Sequence, residues 1–144
     1  MQRSVPGAVA AAGAVLIAHA CIAQEAPIRI GLDKERAIGG LQVACTGIGQ
    51  EKNDPRWAAF PIRVEFSNLK REYLSDGAVA VLDASGRRMA AVSCEGPWIL
   101  LRPSEPGRYG VEGWLPGTAV KPLHGVFHIP YKGQMRLILQ FPDA

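Results

Sequence analysis

Histidine and cysteine are scarce in this chain, three of each in 144 residues, and the shortage closes off much chemistry. No two cysteines are separated by two residues, which excludes the common zinc and dithiol-exchange motifs. No serine sits in a Gly-x-Ser-x-Gly elbow, and Gly47-Ile48-Gly49 is too short and lacks the lysine of a phosphate-cradling loop. Charge of one sign is missing too: 16 Lys+Arg stand against 13 Asp+Glu, a formal +3, and the basic residues are scattered. That balance gives no surface for a polyanion, so nucleic acid is not an expected partner. The longest apolar run, Ala8 to Ala18, has 11 residues, little more than half of the ~20 that a spanning helix needs. What the chain has in plenty is punctuation, 16 Gly and 11 Pro among 48% apolar residues, the composition of one folded domain with many turns.

The apolar run follows Arg3 and precedes small residues at Ala18, Ala20 and Ala23. That order is a secretory leader, expected over residues 1–23. Cleavage behind Ala23 starts the mature chain at Gln24. Cleavage behind Ala20 instead leaves Cys21 first, and Ala18-His19-Ala20-Cys21 resembles a bacterial lipobox without its usual leucine. Cys21 is therefore the candidate lipidation residue, and a membrane is a partner only in that case. If Cys21 leaves with the leader, Cys45 and Cys94 remain, and an even pair in an oxidising compartment reads as a disulfide, the alternative being two separate buried thiols. The expected location is periplasmic or secreted.

Residues 24–44 read as an N-terminal extension or edge strand, with Ile28, Ile30 and Leu32 alternating before a charged break at Asp33 to Arg36. Gln50 to Phe60 is the one plausible helix, limited to a turn or two by Pro55. From Pro61 the period is two. Ile62, Val64 and Phe66 alternate with Arg63, Glu65 and Ser67, a half-buried strand that sends its charges to solvent. Asp83-Ala84-Ser85-Gly86 has the chemistry of a type I hairpin turn between Ala78–Leu82 and a strand through Met89 to Cys94. Further strands follow at Trp98–Leu101, around Tyr109 and Val111, within Val120–Ile129, and at Met135 to Phe141, where Arg136 and Gln140 face the other way. About seven short strands with turn signals and no long crossover helices predict an all-β antiparallel sandwich over residues 45–144.

Gly96-Pro97-Trp98-Ile99-Leu100-Leu101 followed by Pro106-Gly107-Arg108-Tyr109-Gly110-Val111 resembles the core motif of carboxypeptidase regulatory-like domain proteins. Those are small exported bacterial proteins with a transthyretin-like sandwich. Gly47 to Glu51 is similar to their Gly-rich acidic segment, and Tyr73-Leu74-Ser75-Asp76 with Val79 to Gly86 to their hairpin. The resemblance covers about residues 45 to 141. It departs at Arg102-Pro103-Ser104-Glu105, where the family has Leu-Pro-Pro, and at Gly77-Ala78, where a branched residue is usual. It implies a binding or structural module without catalytic residues, acting on a protein or glycan of the cell envelope.

The remaining candidates are weighed by geometry. His124 and His128 lie on one face of a strand, about 13 Å apart at ~3.3 Å per residue, too far to share a metal. No cofactor or metal site is expected. Glu51 and Asp54 suit local capping. A hydrolase of the transthyretin-like kind is the enzymatic alternative, but its Tyr-Arg-Gly-Ser ending has no counterpart in Phe141-Pro142-Asp143-Ala144. Trp98 reads as core. Trp57 and Trp114 form a ligand platform only if they are exposed and adjacent.

Overall fold

In the computed structural model, which describes residues 2–15 and 26–144, residues 2–15 carry no regular secondary structure and are exposed. The cleavage region and Cys21 lie outside the described residues.

The strands are β1 (Ile28–Ile30), β2 (Lys34–Ile38), β3 (Leu41–Thr46), β4 (Ile62–Asn68), β5 (Ala78–Leu82), β6 (Arg88–Cys94), β7 (Trp98–Pro103), β8 (Gly107–Trp114), β9 (Leu123–Ile129) and β10 (Met135–Phe141). They form two five-stranded sheets, β1-β6-β5-β8-β9 and β10-β4-β7-β3-β2. The all-β sandwich predicted from the period-two pattern is what forms, with two corrections. There are ten strands rather than about seven, and both sheets are mixed rather than antiparallel. β1 runs parallel to β6, and β10 parallel to β4, each at a sheet edge. Parallel neighbours need a long connection, and local turn signals cannot announce a pairing between segments so far apart in sequence. The strands beyond seven are β1, β2 and β3, and the least expected is β2, where Lys34, Glu35 and Arg36 read as a break. They are exposed on a free edge, and charge there protects the edge against further pairing. The segment over residues 24–44 thus gives each sheet an edge strand and begins β3.

The single short helix becomes two 3-10 turns, Gln50–Asn53 and Pro55–Ala59. The break falls where Asp54 accepts the Arg56 N–H and Pro55 opens the second turn, a position where its missing N–H costs nothing.

The inward residues of both sheets make one core. Val43, Ile62, Val64, Phe66, Ile99 and Leu101 meet Val79, Val81, Val92, Tyr109, Val111 and Phe127. Phe66 stacks on Phe141, their centroids 6.1 Å apart, and Tyr109 on Phe127 at 5.3 Å. The sheets approach so closely at Gly113 that a Cβ there would collide with Leu139. Tyr109 donates its hydroxyl to the Glu105 carbonyl, tying the strand to the turn before it. That bond gives the Pro-Gly-x-Tyr sequence its physical sense. In the β5–β6 hairpin, Gly86 takes φ +85°, and the Asp83 carboxylate accepts the N–H groups of Ser85 and Arg87.

Cys45 on β3 and Cys94 on β6 are joined, with their Cα atoms 5.5 Å apart and both residues buried. The bridge therefore links the two sheets through the core. It closes a separation of 49 residues, for which chain entropy gives about 4 kcal/mol. Replacing both cysteines with alanine is expected to lower the unfolding free energy by about that amount in urea titrations, and an unchanged midpoint would remove the bridge from the stability of the fold.

Candidate functional site

Strand β7 reads Trp98-Ile99-Leu100-Leu101, an apolar run with no alternation. Ile99 and Leu101 face the core, while Trp98 and Leu100 face outward and are still buried, beneath Trp57 of the second 3-10 turn and Phe60 just after it, and beside Ala44. The second sheet is thus covered on part of its outer face. The turn is fastened there by side chains. Trp57 Nε1 donates to the Glu51 carbonyl, and Gln134 donates to the carbonyls of Trp57 and Phe60, each at 3.0 Å. Arg56 stacks on Trp57, and Arg102 on Phe60.

Next to this cover, on β4, the outward residues are Arg63, Glu65 and Ser67. Sequence alternation sends them to solvent, but Glu65 is 1% exposed and Ser67 5%. The register explains why. Glu65 lies opposite Trp98 on one side and Ile138 on the other, so bulky neighbours flank it. A buried carboxylate has to be paired, and three side chains do so. Arg136 of β10 donates Nε to one oxygen and Nη2, at 3.1 Å, to the other. Tyr73 donates its hydroxyl to that second oxygen at 2.9 Å. Arg63 Nε stands 3.5 Å away.

Tyr73 arrives there because the chain doubles back after β4. The Asn68 side chain accepts the N–H groups of Lys70 and Glu72, Arg71 takes φ +64°, and Leu74 N–H bonds the Phe66 carbonyl. The Tyr73 ring meets the Trp98 indole edge to face, centroids 6.1 Å apart. Above Glu65 lies a groove of about 500 Å³ lined by Ser67, Arg71, Tyr73, Arg136, Ile138 and Gln140. Its walls carry half-exposed apolar surface, Tyr73 at 49% and Ile138 at 52%.

Burial pushes the Glu65 carboxyl up, but the hydrogen bonds from Arg136 and Tyr73 and the charges of both arginines outweigh it. The net direction is below the ordinary value. The Arg136 guanidinium is shifted up by its bonds to Glu65 and by that charge. Glu65 is thus a committed anion, with both oxygens engaged, and not a group poised to exchange protons near neutrality.

The positions singled out in the sequence fall elsewhere. Trp57 is buried in the second 3-10 turn against Trp98 and Leu100, whereas Trp114 is half-buried on the outer face of the first sheet, beside Arg88, Leu115 and Val120. They lie on opposite sides of the sandwich and build no common platform. His124 and His128 are exposed on the outer face of β9, opposite Glu112 and Arg108. Among the described residues no group of three or more His, Cys, Asp or Glu is placed to hold a metal ion. Glu65, Arg136 and Tyr73 were not candidates, although one signal pointed toward them. An unbroken apolar run at Trp98–Leu101 implies a strand covered on both faces, and therefore an outer face that is not simply solvent.

No family model and no curated protein matches the chain. Fold and surface chemistry carry the functional reading.

In the unfolded chain Glu65 titrates at its ordinary 4.5; in the fold it keeps its charge to lower pH. The ion pair therefore contributes fully above that pH, and its contribution drains away as pH falls through the lowered folded value. Glu65→Gln is expected to cost about 2 kcal/mol at neutral pH, below the figure for a fully buried pair because Arg136 is half-exposed. Urea midpoints measured across pH should also show a shallower acid decline in the variant than in the parent. Parallel curves would mean that Glu65 is not the group responsible.

Proposed function

We propose that the chain is an exported, non-enzymatic binding or structural module of the bacterial envelope, of the carboxypeptidase regulatory-like kind, and that it meets its protein or glycan partner on the outer face of the second sheet. The groove over Glu65 carries this reading. Its floor is a neutralised ion pair, and its rim offers an aromatic ring, an aliphatic side chain, the Arg71 guanidinium and the Gln140 amide. Rigid polar groups beside exposed apolar surface suit recognition, whereas a carboxylate locked by two donors suits proton transfer poorly. The leader-like run before Gln24 and a buried disulfide between the sheets support an oxidising compartment. A form anchored through acylated Cys21 is the second reading, motivated by Ala20-Cys21.

Expression of the full chain in a bacterial host, with osmotic-shock fractionation and non-reducing intact mass, tests export. The expected species starts at Gln24 with Cys45 and Cys94 oxidised; an acylated Cys21 start supports the anchored form, and an uncleaved reduced cytoplasmic chain contradicts both. Ile138→Ser, which trims an exposed groove residue without adding charge opposite Glu65, should leave the fold intact and release the protein from sedimented envelope fragments. Undiminished retention would place the contact elsewhere.

A further inference from the structure

The two sheets end in the edge strands β1, β9, β10 and β2, and all but β10 are protected. β1 is only three residues long, β2 sets Lys34, Glu35 and Arg36 along its edge, and β9 is held between Pro122 and Pro130. Shortness, charge and flanking proline each discourage an edge from pairing again. β10 has none of these devices. It pairs with β4 from Met135 to Phe141 without a shift, and contains no proline and no lysine. Its one charge, Arg136, is bound to Glu65 of the same chain.

The direction of the backbone groups on β10 follows from one bond. The Met135 N–H donates to the Pro61 carbonyl. In a parallel ladder alternate residues turn both backbone groups to the neighbour, so Met135, Leu137, Leu139 and Phe141 face β4. Arg136, Ile138 and Gln140 therefore turn theirs to the open side. The same three carry their side chains on the outer face of the sheet, where Ile138 is 52% exposed between two polar neighbours.

This edge is self-complementary. Laid antiparallel against a second copy with Ile138 at the two-fold axis, it sets Ile138 against Ile138, Arg136 against Gln140 and Leu137 against Leu139. Apolar meets apolar, and the two guanidiniums stay apart. A register centred on Arg136 would oppose like charges, and one centred on Leu137 or Leu139 would set Ile138 against Arg136 or Gln140. The ends agree as well. Lys132 precedes β10 and Asp143 follows it, both exposed, so antiparallel pairing brings the lysine of each copy to the aspartate of the other.

We propose that two copies of the chain pair through β10, antiparallel about Ile138, so that their second sheets join into one continuous sheet. About six backbone hydrogen bonds form, two in each of the pairs whose backbone groups point outward. The two grooves then lie on one shared face. The pairing goes beyond the assignment of a binding face and does not depend on it.

Sedimentation velocity of the purified, disulfide-bonded protein, from about 1 µM to about 1 mM, tests the pairing. One strand pair buries less than the standard interface of about 1,600 Å², so a dissociation constant of about 10–100 µM is expected, with monomer giving way to dimer across the range. Ile138→Pro removes an N–H that points to the open side and none that bonds β4. It should be monomeric throughout and keep the circular dichroism of the parent. Cross-linking reads the register. Directly opposed residues of an antiparallel pair have Cα atoms about 5.5 Å apart, within reach of a disulfide, so Ile138→Cys should give a covalent dimer on mild oxidation. The Gln140 positions of the two copies lie about 13 Å apart along the strand, at ~3.3 Å per residue, and Gln140→Cys should stay monomeric under reducing-agent-free electrophoresis. Should Ile138→Pro not fold, the cross-linking variants decide alone. A monomer over the whole range, a dimer that survives Ile138→Pro, or cross-linking no better at Ile138 than at Gln140 would overturn the proposal. Because sedimentation uses the isolated protein and Ile138→Ser reads retention on envelope fragments, either reading can fail while the other stands.

Discussion

A carboxylate cut off from water must be neutralised where it stands, and Glu65 imposes that demand on the outer face of the second sheet. Its partners come from three places, Arg136 on the neighbouring edge strand, Tyr73 on the chain that doubles back after β4, and Arg63 two residues before it on its own strand. Each is held in turn. β10 is fixed by its parallel register with β4, and the returning segment by the Asn68 side chain. The edge strand, the loop and the covered part of the face meet at one ionised group. Removing Arg136 takes both of its hydrogen bonds from a buried carboxylate, a larger loss than the net stabilisation the pair provides.

The central strand β7 is the other half of that arrangement. It is buried on both faces, so the second sheet has a core side and a smaller outer apolar cluster under the 3-10 turns. Trp98 stands at the boundary of that cluster, touching Tyr73 at its edge and Arg63 on its face. The disulfide holds this sheet to the first through β3 and β6, which leaves the outer face as a rigid surface on a cross-linked scaffold.

Much of the fold was legible in the sequence because strands with one buried face write a period of two. β4 and β10 are read correctly residue by residue on their inner faces, and Asp83 to Gly86 announces its turn. The parallel pairings were not legible, since they join segments far apart in sequence. The site was hidden for a related reason. Alternation says which face a residue takes, but not what lies across from it. Glu65 looks like a solvent charge until Trp98 and Ile138 are placed beside it by register. Trp57 and Trp114 drew attention as aromatics near turns, yet the sheets carry them to opposite sides of the molecule.

All of this requires Glu65 to be an anion held by its neighbours. Carbon-detected NMR titration of the side-chain carboxyls, followed from neutral pH into acid, measures that directly. The expected result is a Glu65 midpoint below the ordinary 4.5, moving upward in Arg136→Ala. A midpoint at or above that value in the parent protein would mean that burial outweighs pairing, and that the carboxyl is a protonatable group after all.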